Sequence, residues 1–215
     1  MDKSALSSWA DSWAREHPDI ESLRGFVFDI NGVVRGKRLP VDQLAKICGG
    51  GMRIPLSSAN VDIWGRDIEG SKWVFKTGDS DGRCEWTGRG PLVMPWSDRG
   101  AAMVPLVLQN DDRTPFGGDA RNALAAVLNR FATLGLRPVP AFELEFYLAD
   151  PKAVDGALSN PLTGALVIRE GVLSLDDLDD FDAILTDIYD ACKVQSVAAD
   201  AAISESGIGQ FEVNL

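Results

Sequence analysis

Residues 137–150 read RPVPAFELEFYLAD, and over 141–149 apolar and polar side chains alternate without a slip. Side chains of an extended chain repeat every two residues. Phe142, Leu144, Phe146 and Leu148 therefore share one side, and Glu143, Glu145 and Tyr147 share the other. One side asks for a core. The other carries two carboxylates about 7 Å apart, two strand rises. Like charges at that spacing repel unless water or a cation screens them. Read alone, the stretch is a half-buried strand with its polar side in water. The end of the chain adds a second strand of the same kind. Residues 205–215, ESGIGQFEVNL, set Phe211, Val213 and Leu215 on one side and Gln210, Glu212 and Asn214 on the other. Paired side by side, the two can line one site with acidic groups.

Composition bounds what such a site can serve. The 215 residues suffice for one large or two small domains, and 45% hydrophobic content fills real cores. A net charge of −11 argues against a nucleic-acid or anionic-membrane partner, since both require a basic face. Cys48, Cys84 and Cys192 are odd in number, far apart and without a CxxC pair, which fits reduced thiols and a cytoplasmic setting. His17 is the only histidine, so a His-rich zinc site cannot be assembled; it reads as a polar residue ending a helix before Pro18. No apolar run is long enough to span a membrane, and the start has no signal-peptide layout, so a soluble protein is expected.

Between these limits the elements fall in order. Residues 4–17 read as a helix, with Leu6, Trp9 and Trp13 on one stripe that packs either on the core or on a neighbouring domain or subunit. Phe26, Phe28 and Ile30 alternate into Asn31-Gly32, a hairpin signal, and Val33-Val34 starts the return strand. Gly32 to Lys37 is one residue short of a phosphate loop and lacks the Ser or Thr after its lysine. Residues 41–48 read as a short helix stopped by three glycines. Residues 52–118 read as a small twisted sheet with long loops, its apolar runs at 72–75 and 101–108, the latter interrupted by Pro105. Asp79-Ser80-Asp81-Gly82 starts like a calcium loop, but Gly90 stands where the closing Glu belongs. Asp119 caps a helix with the stripe Leu124, Val127, Leu128, Phe131 and Leu134, ended by Gly135. After a loop over 151–171, Leu178, Phe181, Ile184, Leu185 and Ile188 mark one further helix. The aspartates at its start suit the helix dipole. Residues 194–203 read as a strand.

DINGVVRGKRLP, GMRIP, GDSDG, MPW, ARNAL, PAFELEFYL and ESGIGQFEVNL occur in this order along nearly the whole chain. Together they resemble the N-terminal half of the glutamine synthetase family, and within it the branch that couples glutamate to amines, the γ-glutamylpolyamine (γ-glutamylputrescine) synthetases. The resemblance implies an α+β chain. An N-terminal helix would cover 1–19, a β-grasp-like domain 20–108, and the first, incomplete part of a catalytic domain with an antiparallel sheet and helices 109–215. It also implies an ATP-dependent ligase that phosphorylates the γ-carboxylate of glutamate and lets ammonia or an amine such as putrescine displace the phosphate. Mg2+ or Mn2+ would serve as cofactor.

Residue by residue, Glu143 matches the family's ligand for the metal nearer the ATP phosphates. Glu145, Glu205 and Glu212 match the three that hold the metal beside the substrate. Hard cations take carboxylate oxygens, and a phosphoryl group in transfer needs positive charge on its equatorial oxygens. Gln210, on the polar side with Glu212, is a candidate for positioning the nucleotide or metal. Asp81 matches an acidic position associated with binding the amine at an adjacent subunit's site, although GRCEW departs from the usual Pro-Asp pattern after it. The family assembles as stacked rings, a dodecamer. Its members are roughly twice as long, so an incomplete, inactive portion with exposed edges and apolar area is expected. A non-catalytic metal-binding or regulatory module is the alternative, and a plain structural module a further one.

Overall fold

The computed structural model describes residues 2–153 and 156–215, so the part of the expected 151–171 loop at Val154 and Asp155 lies outside the described residues. The chain divides into two compact units, Met1–Pro138 and Val139–Leu215.

The first unit opens with α1 (Lys3–Glu16), begun by Asp2, whose carboxylate accepts the Ala5 N–H at 2.8 Å. Leu6, Ala10 and Trp13 recur at the helical period and are buried together. Trp9 packs against the same core and meets Trp86 at 5.1 Å between ring centres, so of the two placements open to the tryptophans, the unit's own core takes them. His17 ends the helix: its ring stacks on Trp13, and its Nδ1 lies 2.8 Å from the Trp13 carbonyl.

Strands β1 (Ser22–Phe28) and β2 (Val34–Pro40) form the expected hairpin, but β1 stops before Ile30, which is exposed. A buried carboxylate organises the turn. Asp29 accepts the N–H groups of Asn31 and Val33 on one oxygen and the Arg35 Nε–H, 2.9 Å away, on the other. Gly32 sits in this turn at φ 77°, where a side chain would be strained. A 3-10 turn and α2 (Leu44–Cys48) follow, then β3 (Met52–Pro55). Residues 72–75, expected within a sheet, are instead a helical turn, α3 (Lys72–Phe75). A four-residue run does not tell strand from helix, and Ser71 opens the turn by accepting the Phe75 N–H on its backbone carbonyl.

Strands β4 (Asp81–Trp86), β5 (Leu92–Val93) and β6 (Ala101–Gln109) complete the sheet, in the order β2-β1-β6-β4-β3 with β5 also on β6. The β1–β6 pair is parallel and the others antiparallel. Pro105 does not interrupt β6. It falls opposite Phe26, the last register pair with β1, so its missing N–H breaks no longer ladder. Leu23, Val27, Val104, Leu106 and Leu108 meet Leu44, Ile47 and Trp13 in one core.

Helix α4 (Ala120–Thr133) starts at Asp119, 1% exposed, whose Oδ1 accepts the Arg121 and Asn122 N–H groups while Oδ2 accepts that of Leu108. One carboxylate thus caps the helix and ties it to β6. The predicted stripe Leu124, Val127, Leu128, Phe131 and Leu134 is exposed along its length.

The second unit holds β7 (Glu143–Tyr147), α5 (Leu175–Asp180), α6 (Asp182–Val194), β8 (Ala202–Ser204) and β9 (Gln210–Asn214). The single helix expected at 178–188 is broken in two at Phe181, whose ring enters the small core 5.2 Å from Phe211. The strand expected over 194–203 shrinks to three residues. α6 runs through Val194, and Ser196 at φ 54° turns the chain away. Order β7-β9-β8 makes an antiparallel sheet. Its apolar side is Phe146 and Phe211 over Phe181 and Leu185, while Phe142 and Leu144 remain exposed. Among the described residues no helix is long and apolar enough to cross a membrane.

Candidate functional site

The polar side of the second unit's sheet is set by register. Glu143 faces Asn214, Glu145 faces Glu212 and Tyr147 faces Gln210. Phe142 and Leu215 exchange both backbone hydrogen bonds, and Leu148 donates to Gly209. Antiparallel pairs alternate between hydrogen-bonded and non-hydrogen-bonded, so all three polar pairs are of the second kind, with Cα atoms about 4.5 Å apart and side chains closest. Glu205 joins the same side. β8 pairs Ile203 with Glu212, and Glu205 continues that register by donating its N–H to the Gln210 carbonyl.

Four carboxylates thus share one face. Glu212, 6% exposed, is the most enclosed. Burial pushes its carboxyl above the ordinary carboxylate value. The charges of Glu143, Glu205 and Glu145 push it further, and a hydrogen bond from Asn214 pulls the other way. All three of the other carboxylates therefore act on Glu212.

Gln210 is engaged at both ends. Its amide nitrogen donates to Glu145 Oε2 at 2.8 Å, and its amide oxygen accepts the Tyr147 hydroxyl at 3.0 Å and the Gly207 N–H at 2.9 Å. It clamps Glu145 to the 205–210 turn. A Cβ on Gly207 would meet the Tyr147 hydroxyl at 2.5 Å, so this turn must come close. Tyr147 as the clamp's third member, and Asn214 against Glu212, are functional candidates that sequence reasoning missed. The alternation placed both on the polar side, but their partners depend on register.

Carboxylate and amide oxygens are the donors that magnesium and manganese take, so the residues present fit such an ion in kind. Among the described residues, no three His, Cys, Asp or Glu side chains are already closed around one point.

Asp81 belongs to the first unit. It opens β4 opposite Pro55, and its carbonyl accepts from Arg53. It lines an open groove of about 460 Å³ with Lys72, Lys76 and Asp111. Asp79, in the calcium-loop-like stretch, instead accepts the Ser57 hydroxyl.

With this geometry in hand, residues 117–215 match the family described as glutamine synthetase, catalytic domain. Gamma-glutamylputrescine synthetase PuuA of Escherichia coli (strain K12) is 32% identical over 99% of this chain and 46% of its own length. The chain therefore spans about half of that curated relative. Solved glutamine synthetase-like structures share the mixed α/β fold. A glutamine synthase homolog is 20% identical, covering 91% of this chain and 43% of its own, with a TM-score of 0.73. GmaS without ligand is 22% identical, covering 94% and 44%, with a TM-score of 0.69. The glutamine synthetase of Plasmodium falciparum is 14% identical, covering 100% and 44%, with a TM-score of 0.64. At these identities the three speak for the fold alone. The matched segment, 117–215, holds all four candidate glutamates; Asp81 precedes it.

Proposed function

We propose that the chain is the N-terminal part of an ATP-dependent glutamate–amine ligase that forms a γ-glutamyl amide through a γ-glutamyl phosphate. The observation that carries this is the pairing of Glu145 opposite Glu212, with Glu143 and Glu205 acting on the same carboxyl. The likeness to gamma-glutamylputrescine synthetase supports glutamate as the acyl donor and an alkyl amine, or ammonia, as the acceptor.

In this reading Glu143 would hold a divalent ion, Mg2+ or Mn2+, nearer the nucleotide phosphates, and Glu145, Glu205 and Glu212 would hold one beside the substrate. The ions' part is to neutralise charge on the phosphoryl oxygens. The chain's own part is placement. Gln210 fixes Glu145, the close register pairs hold the carboxylates side by side, and the Phe146–Phe211–Phe181 core keeps the sheet from yielding. Asp81 is assigned to the amine, at the site of an adjacent subunit in a ring-forming, dodecameric parent. A β-grasp-like first domain over 20–108 and a catalytic segment starting near 109 belong to the same proposal.

The test is an assay of the full-length protein with glutamate, ATP and a panel of amines. Amine-dependent release of phosphate with formation of a γ-glutamyl amide is expected, and its loss in Glu212→Ala. A full-length protein that folds and binds ATP but transfers γ-glutamyl to no amine would refute it.

A further inference from the structure

The acidic face contains one oxygen whose needs no described residue meets. Asn214 Oδ1 is enclosed and, among the described residues, has no hydrogen-bond partner. A buried carbonyl left unpaired is costly, which is why such atoms are rare in folded proteins. Its surroundings explain why it is unpaired. Asn214 uses its amide N–H on Glu212, two residues back on the same side, and faces Glu143 in a close pair across the sheet. Ionised carboxylates accept and do not donate, so the neighbours on its own face cannot satisfy it. Bulk water does not reach it.

A cation satisfies both needs at once, the unpaired carbonyl and the crowded negative charge. Amide carbonyls are ordinary ligands of hard divalent ions, beside carboxylates. We propose that Asn214, beside Glu143 and Glu212, would supply a neutral oxygen ligand to a divalent ion bound at this face. This rests on the reading of Glu143, Glu145, Glu205 and Glu212 as a cation site and adds a donor to it. Gln210, by contrast, has no free end and acts only through Glu145.

The experiment is manganese binding to the 215-residue chain, read by the spectroscopic signal of free Mn2+ and by the thermal shift it causes. Asn214→Leu keeps the side chain's size and removes both amide atoms; Asn214→Asp keeps an oxygen. Asn214→Leu is expected to bind Mn2+ about tenfold or more weakly. Its metal-free melting temperature should change little, because the unpaired carbonyl and the amide hydrogen bond to Glu212 are lost together. Asn214→Asp should bind at least as tightly as wild type. Equal Mn2+ affinity for wild type and Asn214→Leu overturns the ligand role of Asn214 while leaving the glutamate site standing. No binding by wild type overturns both.

Discussion

Glu145 and Glu212 stand directly opposite each other across β7 and β9, in a non-hydrogen-bonded pair where side chains approach most closely. Two carboxylates in that position are destabilising in an empty protein. Glu212 is also buried, and its carboxyl is held above the ordinary carboxylate range by burial and by Glu143, Glu205 and Glu145. A fold that kept such a pair for structure alone would gain by replacing it.

The pH dependence follows in sign. A carboxyl raised in the folded state binds more protons there than when unfolded. Its contribution is full below the ordinary carboxylate value and is lost as pH rises through the raised one. In EDTA, the melting temperature of the second unit should fall as pH rises through that window. Glu212→Gln should flatten the fall. Thermal melts over a pH series check this, and a wild-type stability that rises over the same window would refute it.

Gln210 bridges Tyr147, Gly207 and Glu145. Gln210→Leu should weaken Mn2+ binding about tenfold, the usual effect of removing a group that orients a ligand. It should destabilise the unit by about 1 kcal/mol. Tyr147→Phe, which removes one donor and leaves the Glu145 contact, should do markedly less. Equal effects of the two would show that Gln210 does not act through Glu145.

Asp29 makes the β1–β2 turn. Burial raises its carboxyl, but the bonds from Val33, Arg35 and Asn31 outweigh that and leave it below the ordinary value. Asp29→Ala strands those donors and should cost about 2–3 kcal/mol in chemical denaturation of the first unit. The stability Asp29 provides is present above the ordinary carboxylate value and is lost as pH falls through its lowered one.

The three thiols should separate by burial. Burial pushes Cys48 and Cys84 up to about 12, and both are enclosed, whereas Cys192 is partly exposed. At neutral pH a thiol reagent should titrate one cysteine in the native chain and the other two only on unfolding. Fast native reaction at Cys84 would contradict the packing of β4 against β6.

How much of this was legible beforehand varies with range. Asp119 as a helix cap, the 31–32 turn and the polar sides of 143–147 and 210–214 are local facts, readable from residue type and period. The facing of Glu145 with Glu212, and of Tyr147 with Gln210, is a register, and no local pattern encodes it. The split at Phe181 was not legible either. The apolar period continues across it, and only the distant Phe211 gives the ring its place in the core. Residues 72–75 and 194–201 misled for a related reason: short apolar or alanine-rich runs satisfy both periods until neighbours decide.

The central claim is that Glu143, Glu145, Glu205 and Glu212 together bind divalent ions. Manganese titration of wild type beside Glu145→Ala and Glu212→Ala tests it most directly, with folding checked by circular dichroism. Saturable binding by wild type, weakened at least tenfold in each variant, is the expected result. Two folded variants that bind Mn2+ as wild type does would contradict it.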